Sequence, residues 1–243
     1  MRQFGLIGYP LSHSFSQRYF TEKFKKEGIP DTVFENFSIP SITDLTGILQ
    51  NNPHLHGFCI TIPYKKQVIA YLDEMSEAVS QIGACNCVNI QNGKLTGYNT
   101  DVVGFEQSFT RLLQPHHTHA LLLGTGGAAL GVEYVLHKLG IASQYVSRNA
   151  GEGVFAYEAI TAEVLEQYSV IINCSPVGTY PHTEEAPAIP YHLLTPKHYL
   201  FDLVYNPAVT RFLQLGQNQG ATTQNGYDML IGQAEEAWRI WNS

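Results

Sequence analysis

The sequence predicts an α/β protein of two domains, and three observations carry that expectation. Short apolar runs that read as strands alternate with segments whose apolar residues recur at helical spacing, the pattern of βαβ architecture. A glycine-rich turn, Gly124-Thr125-Gly126-Gly127-Ala128-Ala129, joins the apolar run 119–123 to a helical segment carrying Leu130, Val132, Val135, Leu136 and Leu139. The chain has 243 residues at 44% hydrophobic content, enough for one large core or two smaller ones. The boundaries read as 1–101 plus 225–243 for one domain and 102–224 for the other. A cleft between them is the natural place for a ligand.

Charged residues make up only 14% of the chain and the formal net charge is −7, which argues against nucleic acid or an anionic membrane as a partner. No apolar run reaches transmembrane length, and Met1 leads straight into strand-like residues 4–8 with no secretory pattern, so a cytoplasmic location is expected. Cys59, Cys85, Cys87 and Cys174 show neither a CxxC nor a metal-ligand spacing. They read as buried free thiols, and no metal is expected.

In the first domain, the strand at 4–8 ends at Gly8-Tyr9-Pro10. Phe15, Tyr19, Phe20 and Phe24 then repeat at helical spacing until Gly28 and Pro30 stop the helix. Ser14 and Ser16 sit where hydroxyls and backbone N–H groups converge; capping needs one of them, a carboxylate-binding site would use both. Residues 32–39 read as a strand, 42–50 as a short helix, and 57–62 as a buried strand closed by Pro63. Lys65 and Lys66 begin a helix carried by Val68, Ile69 and Leu72, although cations at a helix start oppose its dipole. One lysine reads as solvated, the other as projecting into a cleft. Alternating residues flank Asn92-Gly93, a hairpin signal over 82–98. Asn99-Thr100-Asp101 opens a helix through Val102, Val103, Phe105, Phe109 and Leu113, with Asp101 either a cap or a group facing the cleft.

His116, His117 and His119 follow in a linker. Adjacent residues rarely ligate one ion together, so a solvated loop is expected rather than a metal site. At the glycine turn, the first glycine makes the bend, the second lets backbone approach a pyrophosphate, and the small third residue lets helix pack on strand. N–H groups and the dipole at the helix start stabilise phosphates. The next strand, 144–147, ends in Ser147-Arg148-Asn149, where an NAD site would carry Asp or Glu for the ribose 2′-hydroxyl. An arginine without a carboxylate favours a 2′-phosphate, hence NADP. Residues 150–154 replace what would be another full helix. A short helix, 161–168, leads to the strand 170–174 and a Pro- and Gly-containing loop, 175–181, at the strand's carboxyl end, where a nicotinamide would lie. The strand 199–204 ends in Tyr205-Asn206-Pro207. A helix at 208–218 and the turn 224–228 lead to a last helix with Met229, Leu230, Gln233, Ala237, Ile240 and Trp241, whose aromatic end suggests packing on the first domain.

Eight segments in order resemble the shikimate dehydrogenase family over essentially the whole chain. They are Ser14-Phe15-Ser16, Thr61-Ile62-Pro63-Tyr64-Lys65, Gly83-Ala84-Cys85-Asn86, Asn99-Thr100-Asp101, Gly124-Thr125-Gly126-Gly127-Ala128, Asn173-Cys174-Ser175-Pro176-Val177-Gly178, Asp202-Leu203-Val204-Tyr205-Asn206-Pro207 and Asp228-Met229-Leu230-Ile231-Gly232-Gln233. The resemblance implies an N-terminal α/β substrate domain, a Rossmann-like NADP-binding domain, and NADP-dependent reversible reduction of 3-dehydroshikimate to shikimate, a step of chorismate and aromatic amino acid biosynthesis. It implies that Ser14 and Ser16 hold the substrate carboxylate with Tyr205 nearby, and that Thr61, Asn86, Asp101 and Gln233 reach its hydroxyls. Lys65 with Asp101 would form the catalytic acid–base pair. The cofactor would be held by Gly124, Gly126, Gly127, Ala128, Ser147, Arg148, Asn149, Val204 and Gly226, with Met229 against the nicotinamide. Two departures stand out: Ala150-Gly151-Glu152-Gly153 replaces a helix that often bears another basic residue, and Cys87 replaces a family threonine. A quinate/shikimate dehydrogenase using NAD is the alternative; a catalytically silent NADP-binding regulator would have lost Lys65 or Asp101, and both are present. A monomer or homodimer is expected.

Overall fold

Side chains alternate across each strand, so the position of the cores follows from the apolar pattern once the strands pair. The computed structural model describes residues 1–11 and 14–243. It divides into two compact units, residues 1–100 with 234–243, and residues 101–233.

Unit one contains β1 (Arg2–Gly8), α1 (Phe15–Lys26), β2 (Thr32–Ser38), α2 (Leu45–Asn51), β3 (Leu55–Ile60), β4 (Glu74–Met75), α3 (Glu77–Ile82), β5 (Cys87–Gln91) and β6 (Lys94–Tyr98). The sheet order is β2-β1-β3-β5-β6-β4. The three strands β2, β1 and β3 run parallel, and β5 joins antiparallel to both β3 and β6. The β5–β6 hairpin turns at Asn92 and Gly93, both with positive φ (53° and 77°), the backbone that Asn-Gly supplies at least cost. One face buries Ile7, Phe58, Ile60 and Val88; the other buries Phe4, Leu6, Cys59 and Cys87. Phe20 and Phe24 of α1 fill that second face, one helical turn apart. Three lysines in the last turn of α1 suit the negative end of its dipole.

Unit two contains α4 (Thr100–Phe109, its first residue assigned to unit one), β7 (His119–Leu123), α5 (Gly127–Lys138), β8 (Ala142–Ser147), β9 (Val154–Ala156), α6 (Ala162–Gln167), β10 (Val170–Asn173), β11 (Tyr199–Asp202), α7 (Arg211–Gln217) and β12 (Thr222–Gln224), followed by α8 (Tyr227–Trp241). Its strands pair in parallel in the order β12-β11-β10-β7-β8-β9. Reading from β9, the order is the unit's third, second, first, fourth, fifth and sixth strand, the Rossmann arrangement, and the order in which strands are added reverses between β7 and β10. Strands buried on both faces read as continuous apolar runs, as Leu121 to Leu123 and Val170 to Ile172 do.

The boundary between units falls within α8. Gly232, in its first half, faces Gly104 on α4, where a Cβ added to Gly232 would lie 3.0 Å from the Gly104 Cα, whereas Ala234, Ala237, Ile240 and Trp241 complete the unit-one core. Trp241 stacks on Phe4 at 4.7 Å, and its indole N–H donates to the Val88 carbonyl (3.0 Å). Glu235 accepts hydrogen bonds from Tyr19 and from Lys23 (2.9 Å), which pins this half of α8 to α1.

Several local expectations are corrected. Lys65 and Lys66 lie in a turn ahead of a 3₁₀ helix, Gln67–Tyr71, so they do not open an α-helix. The helix expected from 208 begins at Arg211, capped by Thr210, because the Asn206-Pro207 turn must first leave the sheet. The segment after Asn149 forms the edge strand β9, and Thr222–Gln224 adds β12, too short to show a periodicity. His117 is not solvated: it is 5% exposed. Its Nδ1 accepts from the Gln114 amide (2.9 Å) and its Nε2 donates to the Lys197 carbonyl (3.2 Å), while its ring stacks on Tyr199. Among the described residues no helix is long and apolar enough to cross a membrane.

Candidate functional site

In unit one, the residues singled out by sequence gather at the carboxyl ends of β1 and β3. Ser14 caps α1, its hydroxyl accepting from the Gln17 amide at 3.1 Å, and Ser16 is half-buried in the first turn. Thr61 follows β3 directly; its amide donates to the Ile7 carbonyl (2.9 Å), and its methyl occupies the place a side chain on Gly8 would need. Lys65 is half-buried, and its carbonyl accepts from the Cys85 amide at 2.8 Å. Asn86 is 4% exposed. Its backbone carbonyl accepts from Ile60, and its side-chain Oδ1 accepts from the Thr100 amide at 2.6 Å while Nδ2 donates to the Thr100 hydroxyl. Asn86 thus caps α4 and fixes how that helix starts.

In unit two, the sequence-predicted residues line the carboxyl ends of β7, β8, β10 and β11, beside the switch point where ligands bind in open α/β sheets. Gly124 has φ +119°, a backbone that side chains rarely adopt, and a Cβ there would lie 3.5 Å from Ser175 N. Its amide donates to the Val146 carbonyl. Gly126 caps α5 without a side-chain hydrogen bond, and a Cβ added at Gly126 or Gly127 would meet nothing within 4 Å. Open space against the N–H groups of a helix start suits a pyrophosphate. Ala128 is exposed in the first turn, and Ala129 behind it is buried. Ser147 accepts from the Asn149 amide (3.4 Å), and Arg148 is exposed, close enough to Tyr157 to favour ionisation of its phenol against the burial that holds the proton on. These residues fit a phosphorylated dinucleotide.

Val204 and Gly226 meet directly, the Gly226 amide donating to the Val204 carbonyl at 3.2 Å; a Cβ on Gly226 would lie 2.8 Å from Leu203 C. Tyr205 is 43% exposed. Met229 and Gln233 are half-buried one turn apart on α8, and the Gln233 amide donates to the Leu230 carbonyl. Asp101 lies in the first turn of α4. Behind these residues stand partners that the sequence alone does not single out: Gly104, whose missing side chain lets α8 approach α4, and the buried pair Asn173 and Asp202. The pair's only signal in the sequence is a polar residue ending each of two all-apolar runs.

Burial pushes the Cys85 thiol up to about 11 and raises those of Cys87 and Cys174 as well, which favours the protonated thiol at these three positions.

Residues 6–88 match the profile of the shikimate dehydrogenase substrate binding domain. A shikimate dehydrogenase (NADP(+)) from Caldicellulosiruptor saccharolyticus is 31% identical over 258 residues, covering 99% of this chain and 92% of the relative. The crystal structure of shikimate 5-dehydrogenase from Listeria monocytogenes in complex with shikimate and NAD superposes with a TM-score of 0.91 at 26% identity, over 100% of this chain and 92% of that one. Shikimate 5-dehydrogenase from Thermus thermophilus, in complex with NADP(H) and shikimate, gives 0.85 at 29% identity, over 99% and 93%.

Proposed function

This chain belongs to the shikimate dehydrogenase family, and from that premise we propose that it catalyses the reversible, NADP-dependent reduction of 3-dehydroshikimate to shikimate. The observation that carries the reading is the retention of both halves of the chemistry. A glycine turn with open space at a helix start stands at the switch point of the second sheet, and Lys65 and Asp101 are both present in their motifs.

The cofactor supplies a hydride at C4 of its nicotinamide, the one transformation that no side chain here provides. The chain's own residues do the rest. Ser14 and Ser16, at the start of α1, hold the substrate carboxylate where hydroxyls and the positive end of the helix dipole favour an anion. Thr61, Asn86 and Gln233 accept or donate to the ring hydroxyls and so fix which face of the ketone is presented; Tyr205 sits near the carboxylate. The ammonium of Lys65 gives a proton to the ketone oxygen as it becomes an alkoxide, and Asp101 holds that lysine and a neighbouring hydroxyl. In oxidation the lysine takes the proton back. Arg148, with Ser147 and Asn149, binds the 2′-phosphate.

Nicotinamide absorbance in the purified protein, with shikimate and quinate crossed against NADP and NAD, tests this reading. Rapid turnover with shikimate and NADP alone is expected. Equal use of NAD or of quinate would move the enzyme to the broader quinate/shikimate class, and no turnover in any combination would overturn catalysis altogether.

A further inference from the structure

Two strands beside the switch point end in polar residues that stand in register, Asn173 on β10 and Asp202 on β11, both fully buried. A carboxylate survives in such a place only when its oxygens are satisfied. Asp202 Oδ1 accepts from the Val204 amide and from Asn173 Nδ2, each at 3.0 Å, and Oδ2 accepts from Thr210 Oγ1 at 2.5 Å. Asn173 extends the arrangement: its Oδ1 accepts from the amide and the hydroxyl of Ser175 (3.1 and 2.6 Å), and Nδ2 also reaches the Val177 carbonyl at 3.2 Å. Thr210 in turn caps α7. One buried carboxylate therefore sets the start of the loop after β10, the exit of β11, and the beginning of the helix that follows.

We propose that Asp202 is the positioning residue of the nicotinamide site: its ionised carboxylate holds Val204 directly, and residues 175–177 through Asn173, in the geometry that receives the reactive end of the cofactor. The proposal rests on the NADP reading above and extends it to a residue sealed beneath the site. Asp202 carries charge-assisted hydrogen bonds, which are shorter and stronger than neutral ones, so its charge state reaches the loops. Burial holds its carboxyl up at about 6, against three hydrogen bonds that favour the charge. The titratable groups facing it are Cys174 at the end of β10 and Tyr191 on the 3₁₀ turn Tyr191–Leu193, with Arg211 of α7 facing Tyr191. Burial pushes both the thiol and the phenol up, so both stay neutral where Asp202 changes charge.

Asp202→Asn is the decisive variant, because it has the shape of the protonated acid and keeps an oxygen to accept from Val204 and Asn173 while losing the charge. NADPH fluorescence on the full chain is expected to show binding about 3–10-fold weaker at pH 8, as loss of charge assistance in one or two hydrogen bonds predicts. The KM for NADP should rise with it, while shikimate binding without cofactor changes less, since Val204 and residues 175–177 belong to the cofactor site and only the neighbouring Tyr205 serves the substrate. Between pH 8 and 5.5 the wild type should converge on the variant as Asp202 takes up its proton. Unchanged NADPH affinity at pH 8, or wild type and variant running parallel across the range, overturns the proposal. Amide hydrogen exchange at Val204 and Ser175, measured without cofactor, should speed up about tenfold in Asp202→Asn, a change expected of anchoring bonds that have lost their charge assistance; unchanged exchange also overturns it. Exchange needs no turnover. A protein inactive with shikimate and NADP would therefore refute the functional reading and leave Asp202 to be decided by exchange.

Discussion

Replacing Gly104 by alanine separates two effects of opposite sign. In the middle of an exposed helix that exchange stabilises by roughly 1 kcal/mol, because glycine loses more backbone freedom on folding than any other residue. At Gly104 the added methyl would lie 2.7 Å from the Gln233 amide nitrogen and closer still to the Met229 carbonyl oxygen. Ordinary contact begins near 3.4 Å, so the first half of α8 must retreat by about 0.7 Å to clear the Gln233 nitrogen and further to clear the Met229 oxygen. Both clashing atoms are backbone, and no rotamer change relieves them. Overpacking of this kind costs about 1–3 kcal/mol, enough to cancel or reverse the propensity gain. The same shift displaces Met229 and Gln233, and a misplacement approaching 1 Å is worth about 10² in rate. Gly232→Ala should be milder, since its methyl would meet the Gly104 Cα at 3.0 Å and the flexible end of Gln107 at 3.4 Å. Urea denaturation and steady-state shikimate oxidation check both variants. A Gly104→Ala protein that is more stable than wild type with unchanged kcat/KM would refute the close-packing argument.

Lys65→Ala should lower turnover by about 10²–10⁴, the usual worth of a general acid, with a much smaller change in the KM for shikimate; equal losses in both would make Lys65 a binding group. Arg148→Ala should weaken NADP by about 10–100-fold, the cost of losing a hydrogen bond to a charged group, and leave NAD unaffected, as NADP(H) and NAD(H) fluorescence titrations would show. Burial lowers the pKa of His117 and His198 below the ordinary histidine value of 6.5, and both rings accept a backbone amide at Nδ1 (Gln114 and Thr195), so both are neutral when folded. The unfolded chain then binds more protons, and stability present above pH 6.5 is lost as the pH falls toward the folded values. Asp202, held up at about 6, works in the opposite sense in this window, so the histidines are read by difference: from pH 8 to 5 the wild type should lose stability relative to a His117→Gln, His198→Gln double variant in urea denaturation; parallel curves would contradict the assignment. Trp241→Ala should cost about 3–5 kcal/mol in the same denaturation assay, the range for emptying an aromatic site, since Trp241 is 5% exposed and fills the space left by Gly57.

The fold was legible wherever a single stretch carried its own period. The run 119–123, the glycine turn and the helix after it could be read because strand, bend and helix each impose a local pattern, and Asn92-Gly93 announced its hairpin for the same reason. β4 and β12, with two and three residues, are defined by what they pair with and leave no period to read. His117 misled because three polar rings in a linker suggest solvent, whereas its burial depends on Tyr199 stacked over it from far along the chain. The candidate site was legible in parts. Gly124 announced a bend from its neighbours alone; the roles given to Ser14, Thr61, Lys65 and Gln233 came through resemblance, because their spacing says nothing about which ends of which strands converge. Asn173 and Asp202 each open a segment that carries the resemblance, yet no local pattern shows their partnership, which exists only across the β10–β11 register.

The passage of α8 through two units has a consequence for the order in which the protein matures. Unit two is continuous, residues 101–233, and can close its sheet as soon as it has been made. Unit one is synthesised first and finished last: Phe4, Phe20 and Phe34 leave the ribosome with the space for Trp241 empty, and it stays empty until residues 234–243 emerge. Maturation therefore runs opposite to synthesis. Clipping residues 234–243 would strike the centre of the earliest-made unit and leave the sheet of the later one intact.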